Sequence, residues 1–270
     1  SSPSSTIPSP EWISFPPWSG SKPQDYGDDE MKLSRFMDEA YEGMAAAGRS
    51  RLKSQKKGLI FSLEDLAEQV GSRPVREDVE QLVRDDRGQM EMLLSSKPGK
   101  KHALLWGYLS GMAAEMSDGP LMLPGLEYAG LEMRHGCLLL EQAGSHVGER
   151  MAGGRIIVQG DAGDYLGQEM AGGGIIAAGC RDYAFRNMQG GFGLIRGDAG
   201  GFVGLGNSGG RIVVLGSCGE RAGWLMHSGS LYVRADAGDY IGLLMSGGRI
   251  RVRGRAGRRA ASTCSRVGAW

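Results

Sequence analysis

The sequence is short of most features that mark catalytic, metal-binding or membrane proteins. Net charge is absent: 31 basic residues balance 31 acidic ones, so no global field favours nucleic acid or an anionic membrane as a partner. Cysteine is sparse, and Cys137, Cys180, Cys218 and Cys264 form neither a CxxC pair nor a zinc-ligand spacing. That usage fits a reduced, cytoplasmic protein. The four histidines, His102, His135, His146 and His227, are too scattered to supply three converging metal ligands. No run reaches the ~18 apolar residues of a membrane span. The first residues lack the basic-then-apolar pattern of a leader, so membrane insertion is not expected. A P-loop, a nucleophile elbow and a strand-to-helix dinucleotide fingerprint are missing too. The expectation is a chain with no catalytic, cofactor or metal site of its own.

What the sequence has in excess is glycine, 46 of 270 residues or about 17%, against an average near 7%. There is no G-X-Y triplet, which excludes collagen. The glycines mark a repeat instead. The second glycine of a small-Gly or Gly-Gly step falls at Gly136, Gly154, Gly173, Gly191, Gly210, Gly229 and Gly248, every 18 or 19 residues. Three residues before most of these steps stands a methionine: Met133, Met151, Met170, Met188, Met226 and Met245, with Asn207 the exception. A second glycine column, Gly148, Gly167, Gly204, Gly223 and Gly242, is broken by Phe185. Such a period is too short for a helix-plus-strand unit but suits one coil of a parallel β-helix.

Alternation within the coil assigns its faces. Leu138, Ile156, Ile175, Gly193, Ile212, Leu231 and Ile250 form one inward column. Leu140, Val158, Ala177, Ile195, Val214, Val233 and Val252 form the other. The column between them, Leu139, Ile157, Ile176, Leu194, Val213, Tyr232 and Arg251, must face outward, yet it stays apolar for six coils. It must be covered either by the chain's own N-terminal half or by a second polypeptide. Asp161, Asp198 and Asp236 share one position on alternate coils, about 9–10 Å apart at strand spacing, too far to chelate one ion as neighbours. Cys180 and Cys218 replace small inward residues and are expected to be buried thiols.

The first half differs. Residues 1–28 are rich in Ser and Pro but carry Trp12, Phe15 and Trp18, so they read as a disordered tail or as an arm laying aromatics on a partner. Residues 29–117 are helical in pattern, including a helix over 29–47, a capping box at 62–65, a helix after Pro74 and another from about Lys100 carrying Leu105, Leu109, Met112 and Met116. The last of these is expected to cap the open end of the β-helix. Residues 118–130 read as a linker, 131–257 as the β-helix and 258–270 as a basic tail. The fold class is thus α+β and modular: a small helical region followed by a parallel β-helix of about seven coils.

The run 151–167, Met-Ala-Gly-Gly-Arg-Ile-Ile-Val-Gln-Gly-Asp-Ala-Gly-Asp-Tyr-Leu-Gly, repeated in register, resembles the GXGXG domain family. The resemblance covers about residues 131–257. That family includes the C-terminal domain of glutamate synthase, the β-helical subunit of formylmethanofuran dehydrogenase and the matching subunit of the formyltransferase/hydrolase complex. The resemblance implies a non-catalytic scaffold subunit in one-carbon metabolism, with other protein subunits as partners. Zinc, a molybdenum or tungsten pterin, iron–sulfur or flavin centres would then lie in partner chains. A glutamate-synthase-like or N-methylglutamate-synthase-like complex, and an autonomous β-helical binding module, are the alternatives. Leu139, Ile157, Ile176, Leu194, Val213, Tyr232, Trp12, Phe15 and Trp18 are the expected partner-interface residues.

Overall fold

The computed structural model describes residues 62–71, 74–83, 87–96 and 98–260. The arm with Trp12, Phe15 and Trp18, the helix expected over 29–47 and the last ten residues of the basic tail lie outside the described residues. Four helices come first: α1 (Leu63–Val70), α2 (Arg76–Val83), α3 (Arg87–Ser95) and α4 (Ala103–Met116). The capping box works as its residues dictate, with Ser62 Oγ accepting from the Asp65 amide at 3.1 Å and so satisfying an orphan donor of the first turn. Helix α3 has no clear signature in the sequence because its buried stripe, Met90, Leu93 and Leu94, lasts barely one turn.

Beyond α4 the chain climbs a parallel β-helix of about seven turns. One face is an eight-stranded parallel sheet in the order β1 (Leu121–Leu123), β2 (Cys137–Leu140), β3 (Arg155–Val158), β5 (Gly174–Ala177), β7 (Phe192–Ile195), β8 (Ser208–Val214), β9 (Ser228–Val233) and β10 (Arg249–Val252). A second, narrow face consists of β4 (Asp161–Ala162) and β6 (Gly179–Cys180). Single bridges extend it through Cys180, Ala199, Cys218, Ala237 and Ala256. Strand β1 falls inside the segment expected as a linker: Leu121, Met122 and Leu123 pair with Leu138, Leu139 and Leu140. The inward column pairs in the register that the alternation predicts, Leu138 to Ile156 to Ile175 to Gly193 to Ile212 to Leu231 to Ile250. Its aliphatic members are buried.

The coupling of methionine to glycine has a packing cause. A Cβ at Gly154 would stand 2.8 Å from the Met133 methyl, and one at Gly173 would stand 2.7 Å from the Met151 methyl. Gly191, Gly210 and Gly248 likewise leave room for Met170, Met188 and Met226 of the coil below, while Gly136 lies against the Ala114 carbonyl of α4 and Gly229 against Asn207. Asn207 replaces methionine where the strand starts early. Its side-chain oxygen accepts from the Gly209 and Gly210 amides at 3.1 and 3.0 Å, and its amide donates to the Gly210 carbonyl at 3.1 Å. Those three bonds let a polar side chain sit buried in the methionine column.

The two remaining irregularities are one event. Gly193 interrupts the inward column and Phe185 interrupts the corner glycines, and a Cβ on Gly193 would clash with the tip of the Phe185 ring at Cζ, Cε1 and Cε2. The ring, fully buried, occupies the space where its neighbours have an aliphatic side chain.

Helix α4 covers the N-terminal end of the stack and packs on β1 and β2. It meets the first coil closely: a Cβ at Gly111 would lie 2.9 Å from the Leu131 carbonyl oxygen. Its side chains pair the edge that has no coil beneath it. Ser110 Oγ accepts from the Gly130 amide at 2.9 Å, and Glu115 Oε1 accepts from the Arg134 amide at 2.6 Å. Arg76, buried in α2, donates to the Glu132 carbonyl at 2.7 Å and to the Glu115 carboxylate. Ser110→Ala leaves the buried Gly130 amide unpaired and is expected to lower stability by roughly 1–3 kcal/mol. A urea midpoint equal to that of the parent chain would contradict this role for the cap.

A candidate docking surface on the outward face of the sheet

The expected outward residues do point outward. Leu139, Ile157, Ile176, Leu194, Val213 and Tyr232 are half-buried, each between two buried residues of its strand. Adjacent rungs cover one another within the column, and Met122 of β1, 67% exposed, adds a rung at the N-terminal end. Among the described residues none of these side chains packs on the core shared by the helices and the coil interior.

The ladder has charged borders that the alternation alone did not predict. Two residues before the ladder, paired strand to strand, lie Cys137, Arg155, Gly174, Phe192, Arg211, Ser230 and Arg249. Two residues after it lie Glu141, Gln159, Ala178, Arg196, Leu215, Arg234 and Arg253. Arg155, Arg211 and Arg249 thus line one border, and Arg196, Arg234 and Arg253 line the other, all exposed. Among the described residues none of the six has an ion-pair partner. Glu141, at the first full coil, is the sole acid in the three columns. The signal was present in the sequence but intermittent, since arginine recurs on only some coils.

Other conspicuous side chains are engaged within the fold. Tyr128, His146, Tyr165, Tyr183 and Phe202 stack with centroids 4.7–5.0 Å apart. Arg221 continues the stack, 5.3 Å from the Phe202 centroid and 5.6 Å from that of Tyr240. Every member has positive φ, a backbone cost of about 1–2 kcal/mol that repeated stacking offsets. The inner rings touch neighbours on both faces, which leaves only their edges to solvent. The column acts as a clamp between coils.

Two of the three register-sharing aspartates, Asp198 and Asp236, bond to the next coil. Asp198 Oδ1 accepts from the Ser217 amide and Asp236 Oδ1 from the Arg255 amide, both at 2.7 Å. The bond from the Arg255 amide holds the Asp236 carboxyl below its ordinary pKa. A second column repeats the device: Asp182 accepts from Gly201 and Asp239 from Arg258 at 2.7 Å. Among the described residues no three His, Cys, Asp or Glu side chains gather as a metal site. A cavity of about 650 Å3 between α3, α4 and β1 has Glu91 and Asp118 as its titratable lining groups.

Cys180 and Cys218 occupy the small-residue column; Cys218 is buried as expected while Cys180 is half-buried, and desolvation pushes both thiols up to about 12. They are expected to resist iodoacetamide at about pH 8 in the folded chain and to react on denaturation, because the thiolate is the nucleophile. Rapid modification of the native chain at either position, located by peptide mass mapping, would contradict that burial.

No protein-family model matches the chain, and no curated protein matches it in sequence. Among the described residues no helix is long and apolar enough to cross a membrane.

Proposed function

We propose that the protein is a non-catalytic scaffold subunit of a multisubunit enzyme complex. Its partner-facing surface is the outward ladder of the eight-stranded sheet. The supporting observation is that ladder itself: an apolar column that runs from Met122 to Tyr232 with its inward neighbours buried. At about 4.8 Å per rung the column is about 29 Å long, an apolar strip of a kind that marks interaction surfaces. The in-register glycine, methionine and Gly-Asp-Ala-Gly repeat, with its resemblance to the GXGXG family, favours a complex of the formylmethanofuran dehydrogenase or formyltransferase/hydrolase type. Redox centres, zinc and the one-carbon chemistry then belong to partner chains, and the β-helix holds those chains together.

The test is purification of the tagged chain from its native cells, with mass spectrometry of the chains that accompany it and turnover assays on the isolated chain. A metal hydrolase or formyltransferase chain in stoichiometric amount supports the proposal. Stoichiometric flavin with an amidotransferase chain would replace this complex type with the glutamate-synthase type. Turnover by the isolated chain would end the scaffold reading.

A further inference from the structure

We infer that the occupant of the outward face is an amphipathic helix of a partner protein, with an apolar stripe bordered on both sides by acidic residues. The inference rests on the scaffold reading and adds the chemistry of what docks. Three observations point to this occupant. The first is width: the bordering columns are four residues apart along each strand, as in Arg249 and Arg253, which is about 13 Å at ~3.3 Å per residue. A helix with its side chains is about 10–12 Å across, so one helix fits between the borders. The second is length: an apolar column of about 29 Å matches a helix of about 20 residues at 1.5 Å each. The third is charge. Arg155, Arg196, Arg211, Arg234, Arg249 and Arg253 are exposed and without ion-pair partners among the described residues, so a surface that docks between them and takes water from them is best matched by one carrying carboxylates.

The same charges argue against other occupants. A second copy placed face to face would lay arginine borders against arginine borders, and like charges opposed at an interface are unfavourable. Nucleic acid would satisfy the arginines but would set phosphates across Ile157, Ile176, Leu194 and Val213, which offer them no donors. A membrane surface favours protruding apolar groups, whereas these four are half-buried between the arginine columns.

The experiment uses the full chain and three synthetic helical peptides of about 20 residues. All share one leucine stripe, bordered by Glu in the first, Gln in the second and Lys in the third. Fluorescence anisotropy at low and high salt is the readout. The Glu peptide is expected to bind at least about tenfold tighter than the Gln peptide, with the difference shrinking in high salt, and the Lys peptide least well. In the variant Arg211→Glu/Arg234→Glu the order is expected to invert, with the Lys peptide binding best. A misfolded variant would lose all binding instead of inverting it, and circular dichroism checks the fold directly.

Equal binding of Glu and Lys peptides, or an unchanged order in the charge-reversed variant, would overturn the inference. So would tighter binding of an oligothymidine or of phosphatidylglycerol vesicles, or a chain dimer in sedimentation that Ile176→Asp dissolves. Failure of this inference is separable from failure of the scaffold reading. If the Glu peptide does not bind but Ile176→Asp/Val213→Asp still strips partner chains, the face docks something of other chemistry. If that double variant keeps its partner chains, the face is not the docking surface at all.

Discussion

Phe185→Gly is expected to destabilise the chain by roughly 3 kcal/mol or more, and adding Gly193→Val is expected to recover most of that loss. The ring of Phe185 is fully buried and fills the position that Ile or Leu fills in other coils. Removing it leaves a cavity, and Phe-to-small substitutions in cores cost about 3–5 kcal/mol. The lower end applies because Phe185 holds a φ of 57°, and glycine relieves about 1 kcal/mol of that strain. Gly193→Val alone is destabilising for the opposite reason. Its branched side chain must displace the tip of the Phe185 ring and overpacks the coil, at a cost of about 1–3 kcal/mol or more. Together the two changes restore the arrangement of the neighbouring coils: a corner glycine with an aliphatic residue on the strand. The coupling energy, read from urea midpoints of the four variants, should be roughly 3–6 kcal/mol, the summed single losses less the small loss of the double variant. Additive losses would show that the two irregularities are independent.

The second large effect falls on association and not on folding. Ile176→Asp/Val213→Asp places two carboxylates on the outward ladder, where the parent side chains are half-buried. A docked partner would bury the exposed half of each side chain, worth roughly 0.8–1.5 kcal/mol, so affinity should fall by at least about tenfold, and further for the cost of burying two carboxylates. Folding should change little, by about 1 kcal/mol from the lower strand preference of aspartate. Ile175→Asp is the contrasting control: one residue away but facing the coil interior, it should prevent folding. A large loss of thermal stability in the outward double variant, with partner binding kept, would mean that the chain itself covers the ladder.

The inner and outer columns were legible in the sequence because a β-helix repeats every 18–19 residues and each coil states the same alternation afresh. The cap by α4 was legible from the stripe of Leu105, Leu109 and Met112, which the structure buries. Strand β1 was not, since Leu121–Leu123 are three residues with no marker glycine around them; pairing with β2 makes them a strand. The stacked column from Tyr128 to Arg221 leaves no signature in the sequence for a different reason. Its members change type from coil to coil, and what unites them is a shared left-handed backbone position. Phe185 and Gly193 were visible as separate exceptions, but eight residues apart they reveal their compensation only when the corner folds back under the strand. The arginine borders lie two residues to either side of the outward column, where arginine recurs on only some coils.

The most direct measurement is cysteine accessibility along the ladder in the assembled complex. Ile157→Cys, Ile176→Cys and Val213→Cys, made one at a time in a Cys137→Ser/Cys264→Ser background, place thiols on the outward face, and the half-buried Cys180 and buried Cys218, with thiol pKa values raised by burial, provide a slow-reacting background. In the isolated chain all three introduced thiols should be alkylated readily. In the complex purified from native cells they should be protected together, while a thiol at exposed Ser246, away from the sheet face, stays reactive. If the three ladder thiols react as fast in the complex as in the isolated chain, the face carries no partner.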